Sequence, residues 1–127
     1  MSYTVLTIGH SVRSLFEFIE RLQENKVEVL VDVRSHPQSR FCPQYNRKAL
    51  SSELAEVGIT YLFKGANLGG KGENVLFNET IKELVNRVKQ GEILCLMCSE
   101  KDPAKCHRSQ DLAPVFVAQG VEVEHIL

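Results

Sequence analysis

The stretch "CSEKDPAKCHRS", residues 98–109, packs two cysteines, a histidine, an arginine and a glutamate into a dozen positions. Those side chains supply a thiol, a titrating ring, a planar cation and a carboxylate, the groups on which nucleophilic transfer, metal binding, redox exchange and anion recognition all draw. Cys98 closes an apolar run, where a nearby arginine or helix N-terminus would favour its thiolate and make it a nucleophile. The alternative is a small apolar cysteine ending a buried strand. Phosphatase and rhodanese loops bracket a short cradle with a cysteine and an arginine. Here Arg108 lies ten residues after Cys98 and two after Cys106, so neither pair closes such a loop. His107 is a candidate acid, base or orienting donor, or else a histidine near a helix start that donates to a backbone carbonyl. Glu100 is a candidate base, or the acidic partner of Arg108.

Other spacings are less informative than they look. In "CLMC", residues 95–98, a strand would send Cys95 and Cys98 to opposite faces, about 10 Å apart, beyond the reach of a disulfide. Cys95 then belongs to the core. A metal site would have to draw on Cys98, Cys106, His107, His10 and Cys42. Adjacent residues such as Cys106 and His107 seldom serve one ion, and no second zinc-type spacing occurs, so no metal is expected.

These groups need a scaffold. Short β-branched runs, "YTVLTIG", "VEVLVDV", "ITYLF", "EILCLMC" and "VEVEHIL", alternate with amphipathic stretches. Leu15, Phe18, Ile19 and Leu22 recur at helical period over Ser14 to Asn25, with Ser14 and Glu17 at capping-box spacing. A second helix is predicted from about Asn46 to Val57, ending at Gly58. A third runs over Asn78 to Gln90, with Ile81, Leu84, Val85 and Val88 on one face. A fourth, about Cys106 to Gln119, contains Pro114, so it either kinks or begins its regular part later. Alternation of this kind predicts an α/β fold: a small three-layer sandwich with a mostly parallel sheet of about five strands, helices on both faces and right-handed crossovers. With no repeat, low-complexity tract or linker, residues 1–127 read as a single domain.

In open parallel sheets ligands sit beyond the carboxyl ends of the strands. After the first run come His10, Ser11 and Arg13; after the second come Arg34, Ser35 and His36, then Arg40, Cys42, Tyr45 and Asn46. From Arg34 to Lys48 there are four basic residues and no carboxylate. Arginine's fork suits phosphate or carboxylate, so this segment reads as an anion site, against a solvated basic loop. Arg34, Arg40 and Arg108 are the candidate anion ligands, with Ser11, Tyr45, Asn46, Lys71 and Cys106 as further contacts. His10, following a glycine, is a candidate for structural or catalytic work. Asp32, beside Arg34 in an apolar run, reads as a buried ion-pair or capping residue. "LGGKGEN" lacks the full phosphate-loop pattern. Its glycines read as a mobile lid, with Lys71 able to fold over a bound anion.

The totals are those of an ordinary globular chain: 127 residues, 43% apolar, 24% charged, net charge −1. That charge gives no reason to expect strong non-specific binding to nucleic acid or membrane. The first residues lack the pattern of a signal peptide, and no run approaches a membrane span. A cytoplasmic location follows as the default, with reduced cysteines; a Cys98–Cys106 disulfide is geometrically open but not expected as a fixed feature.

Five separated motifs resemble one family: "TIGHS" at 7–11, "VLVDVRSHPQSRFCPQYN" at 29–46, "NLGGK" at 67–71, "CSEKDPAKCHRS" at 98–109 and "GVEVEHI" at 120–126. Together they resemble the uncharacterised proteins catalogued as domain of unknown function 488. The resemblance implies an α/β sandwich with a shared site. It also implies that Gly9, His10, Ser11, Asp32, Arg34, Pro37, Ser39, Arg40, Pro43, Asn46, Gly69, Gly70, Cys98, Glu100, Cys106, His107 and Arg108 belong to the family pattern. Lys71 stands where members often carry arginine, and the segment after "LGGK" is short. No activity comes with the resemblance.

The expectation is therefore an enzyme, or degenerate enzyme, that binds a small anionic ligand (phosphate, nucleotide or nucleic-acid fragment) at the carboxyl edge of the sheet. Cys98 would be nucleophile or close contact, and His107, Glu100 or His10 would move protons; no cofactor is expected. The rival is a non-catalytic phosphate or nucleic-acid binding module, and behind it a metal or redox protein.

Overall fold

The apolar runs pair into one sheet. The computed structural model describes residues 3–38, 42–68, 76–100 and 111–126. Its strands are β1 (Thr4–Gly9), β2 (Val29–Asp32), β3 (Thr60–Phe63), β4 (Leu94–Cys98) and β5 (Glu122–Ile126). All pairings are parallel, in the order β3-β2-β4-β1-β5. Every residue of β2 and β4 is buried, as strands covered on both faces must be, whereas the edge strands β3 and β5 are partly exposed.

The helices are α1 (Leu15–Glu24), α2 (Arg47–Glu56), α3 (Gly65–Leu68), α4 (Phe77–Lys89) and α5 (Ala113–Ala118), with a 3-10 helix at Pro43–Tyr45. Ser14 caps α1, its hydroxyl accepting the Glu17 N–H at 3.1 Å. Gly58 follows α2 with φ +77°, a left-handed stop that suits glycine. The fourth predicted helix is described from Ala113. Pro114 falls in its first turn, where a missing N–H costs nothing; residues 106–110 lie outside the described residues. The 3-10 helix and α3 have too few residues to show a period, and the sequence pattern does not announce them.

Alternation along each strand divides the core. Leu6, Ile8, Leu30, Cys95 and Met97 face α1, Tyr45 and α2. Val5, Val29, Val31, Val33, Leu94, Leu96 and Cys98 face α4 and Phe116 of α5. The chain thus leaves β1 and β2 across one face and leaves β3 and β4 across the other. β4 lies between β1 and β2, so neighbouring carboxyl ends send their chains in opposite directions. That divergence marks the topological switch point, where sheets of this kind commonly bind their ligands. Among the described residues no helix is long and apolar enough to cross a membrane.

One glycine fixes how closely β3 approaches this rim. The Lys64 N–H donates to the Asp32 carbonyl at 2.9 Å, and a Cβ on Gly65 would overlap the Arg34 carbonyl oxygen and crowd the Phe63 ring. Backbone cannot yield as a side-chain tip can. Gly65→Ala is therefore expected to lower stability by about 1–3 kcal/mol in urea denaturation, and an unchanged midpoint would contradict this packing.

Candidate functional site at the carboxyl rim

β1 does not end cleanly at Gly9. The His10 N–H donates to the Cys98 carbonyl and the Ser11 N–H to the Ser99 carbonyl, both at 2.9 Å, so β1 and β4 stay joined beyond the sheet. The Arg13 N–H then closes a turn on the His10 carbonyl at 3.1 Å. Inside that turn Ser11 has φ 48°, a left-handed conformation costing a non-glycine residue roughly 1–2 kcal/mol. The conformation aims the Ser11 carbonyl back at the site, where it lies 2.8 Å from His10 Nδ1 and accepts from Cys42 Sγ at 3.4 Å. A carbonyl can only accept, so His10 Nδ1 carries the hydrogen.

Tyr45 holds the other side of the histidine. The two rings stack with centroids 4.3 Å apart and planes 15° from parallel. The Tyr45 hydroxyl donates to the Arg13 carbonyl at 2.6 Å, with the Ser14 carbonyl at 3.0 Å. Burial pushes its pKa up to about 12, the Cys42 side chain adding to the rise.

At the end of β2, Asp32 and Arg34 form a buried pair, 0% and 5% exposed. Arg34 donates from Nε to Oδ1 at 2.9 Å and from Nη2 to Oδ2 at 2.8 Å. The Arg34 backbone N–H adds a bond to Oδ1 at 3.0 Å, and Nη2 also reaches the Tyr45 carbonyl at 2.7 Å. From β3 the Tyr61 hydroxyl donates to Asp32 Oδ2 at 2.5 Å. Burial and that bond raise the Tyr61 pKa strongly.

The site's unsatisfied groups lie elsewhere. Among the described residues His10 Nε2, Arg13 Nη2 and Arg21 Nε are buried with no hydrogen-bond partner. His10 is 4% exposed and Arg13 7%. Arg13 uses Nε on the Gly9 carbonyl at 3.2 Å and Nη1 on Glu17 at 3.6 Å, while Arg21 Nη2 holds the same Glu17 oxygen at 2.9 Å. An orphaned buried donor or acceptor costs about 1–3 kcal/mol, so each asks for a reason. The His10 pKa is lowered chiefly by burial; the Ser11 carbonyl opposes this, Arg34 adds to it and Asp32 opposes it. Burial thus disfavours the charged ring, and the hydrogen on Nδ1 leaves the lone pair of the neutral ring on Nε2.

The expected residues separate accordingly. His10, Ser11, Arg34, Tyr45 and Asn46 gather on the α1–α2 side, Asn46 following the 3-10 helix as the N-cap of α2. Arg34, expected to meet an anion, gives two of its nitrogens to Asp32 and Tyr45. Arg47 lies 4.5 Å over the Phe63 ring. Cys98 packs with the opposite core, because three residues of strand separate it in parity from Cys95, which is core on the His10 side. Cys98 is also disulfide-bonded. This corrects the expectation of reduced cysteines throughout: in this state Cys98 offers no thiolate. Glu100 is exposed. Arg40, Lys71, Cys106, His107 and Arg108 lie outside the described residues. Among those described, no group of three or more His, Cys, Asp or Glu is placed to hold a metal ion. Arg13 follows His10 and Ser11 at the strand end but is not among the residues expected to meet a ligand; its nearness to that end is the sequence signal that could have found it. A concavity of about 460 Å³ beside Ser51, Ala55 and Thr60 opens at the amino end of β3, away from this rim.

The fold is that of a doubly wound α/β protein with a wholly parallel sheet. The family described as "Domain of unknown function DUF488" matches residues 14–76 and 73–110, and the chain belongs to it. Comparison with curated proteins finds no match.

Two measurements check this geometry. Asp32→Asn strands the buried Arg34 charge and is expected to cost about 3–5 kcal/mol in chemical denaturation. The lowered His10 pKa means the unfolded chain takes up a proton the folded chain refuses. Its contribution is then full above its ordinary value of 6.5 and declines as pH falls below that. His10→Phe keeps a ring against Tyr45 and should flatten the fall in stability between about pH 7 and pH 5; an unaltered slope would show that His10 titrates normally.

Proposed function

We propose that the chain binds a small anionic ligand of the phosphate class in the crevice between the carboxyl ends of β1 and β4. In this reading His10, rather than Cys98, handles any proton transferred there. The observation that supports it most is a pair of buried nitrogens without a partner among the described residues, His10 Nε2 and Arg13 Nη2, at the two ends of one tight turn. A spare cationic donor and a spare lone pair complement an acid ligand: one meets an ionised oxygen, the other a hydroxyl or acid proton. The switch-point location favours the same crevice. Arg34 contributes by holding Tyr45, hence His10, in place. Nucleotides and nucleic-acid fragments belong to the same ligand class, and Arg40, Lys71, Cys106, His107 and Arg108 are candidates for its remaining contacts.

A non-catalytic binding module is the second reading. It is favoured by the disulfide at Cys98 and by the sheet lying between that sulfur and the His10 side. A release assay with a phosphate monoester separates the two. Turnover that falls in His10→Phe marks an enzyme, and saturable binding without turnover supports the module.

Isothermal titration with inorganic phosphate and with a nucleoside monophosphate is expected to show saturable binding that weakens with salt. Arg13→Met should reduce affinity by ~10-fold or more. No saturation with either anion, or full affinity in Arg13→Met, would remove the anion-binding reading.

A further inference from the structure

We infer that the fixed His10 tautomer makes this rim selective for an anion that still bears a hydrogen, such as the phosphate monoanion, over a fully ionised oxyanion such as sulfate. The inference rests on the anion-binding reading above and names the protonation state of its ligand.

The tautomer follows from the acceptor on Nδ1. The Ser11 carbonyl at 2.8 Å requires a hydrogen there, and the carbonyl has little freedom to turn away. Its residue is tied through its own N–H to the Ser99 carbonyl, and the turn is closed by the Arg13 N–H on His10. The ring has little freedom either. It is stacked on Tyr45, whose hydroxyl is anchored on the Arg13 carbonyl and whose own carbonyl is held by Arg34. A flip about the ring axis would replace Nδ1 by a carbon and lose the Ser11 bond. Nε2 therefore presents a lone pair, buried and without a partner among the described residues.

The groups facing the ring do not reverse this. From the end of β2 come Arg34 and Asp32, joined as a compensated pair. From the 3-10 segment come Tyr45 and Cys42, the latter turned to the Ser11 carbonyl. From β4 comes the Cys98 carbonyl, already taken by the His10 N–H. No uncompensated carboxylate among these stabilises a charged imidazole, and burial disfavours one. An ionised oxygen brought to Nε2 would meet lone pair with lone pair, whereas a protonated oxygen donates. The spare Arg13 Nη2 meanwhile takes an ionised oxygen of the same ligand.

Sulfate and phosphate share size and shape but differ in this hydrogen. At about pH 6 phosphate is largely monoanionic and sulfate fully ionised, so charge alone would favour sulfate beside an arginine. Titration calorimetry of the whole chain is expected to give phosphate the tighter binding by ~10-fold or more. Sulfate binding as well as phosphate, with proton uptake, would overturn the selectivity and leave the anion site standing; binding of neither would overturn the reading beneath it. In His10→Phe the phosphate-to-sulfate ratio should approach one, and a preserved ratio would count against His10. Should that variant fail to fold, nitrogen NMR of the wild-type imidazole decides. An unprotonated Nε2 signal that moves with phosphate and not with sulfate supports the inference, and a protonated Nε2 in the free protein at neutral pH overturns it.

Discussion

The rim is organised around one buried ion pair. Asp32 and Arg34 are two residues apart at the end of a central strand, and both are buried. Burying both charges gains little net stability over an apolar pair, but losing either partner is costly. The pair's contribution here is positional. Having met Asp32 with Nε and Nη2, the guanidinium still reaches the Tyr45 carbonyl. That bond adds to the Tyr45 hydroxyl's hold on the Arg13 carbonyl in fixing the 3-10 helix, and with it the ring on which His10 stacks. On its other side Asp32 receives Tyr61 from β3. β2, β3, the 3-10 helix and the turn after β1 are thereby linked through one carboxylate.

Strand parity then decides which groups can share chemistry. His10 continues the alternation of Leu6 and Ile8, Arg34 that of Leu30, and both lie on the face of Tyr45. Cys98 continues Leu94 and Leu96, on the face of α4. Counting along the strands separates these sets before any side chain is placed. Gathering residues by their distance from strand ends, without asking which face each one takes, joins Cys98 and Arg34 too readily.

Much of the architecture was legible because it is periodic. The β-branched runs became the strands, Ser14 and Gly58 bound helices where their chemistry predicts, and Pro114 marked where a helix would start. Asp32 was legible as an ion-pair residue because a charge inside an apolar run has few other fates. The site was harder because its decisive contacts are distant in sequence and aperiodic. Tyr45 reads from the sequence as one more ligand contact, and nothing in its spacing marks it as the anchor of the turn. Its role arises from bonds to Arg13, thirty-two positions away, and from the stack on His10. Arg34 reads as an anion ligand because the basic segment it opens holds no carboxylate, although Asp32, two residues upstream, already reads as an ion-pair residue beside it. The burial of Arg13 depends on a turn whose left-handed residue is a serine, a type that does not advertise that conformation as glycine would.

That turn is where the fold departs furthest from what stability alone would choose. Ser11 in the left-handed region costs roughly 1–2 kcal/mol, and each orphaned nitrogen at His10 and Arg13 costs about 1–3 kcal/mol. Against a total stability of about 5–15 kcal/mol for a typical domain, those terms are substantial. They fall within four consecutive residues. An apolar side chain at position 10 or 13 would remove one orphan, and glycine at 11 would remove the strain. Each would also dismantle part of one arrangement: a carbonyl turned inward, a ring locked in one tautomer, and a cation with a donor to spare. Strain and unsatisfied polarity that converge in this way are more economically explained by a ligand completing the set than by independent accidents of packing.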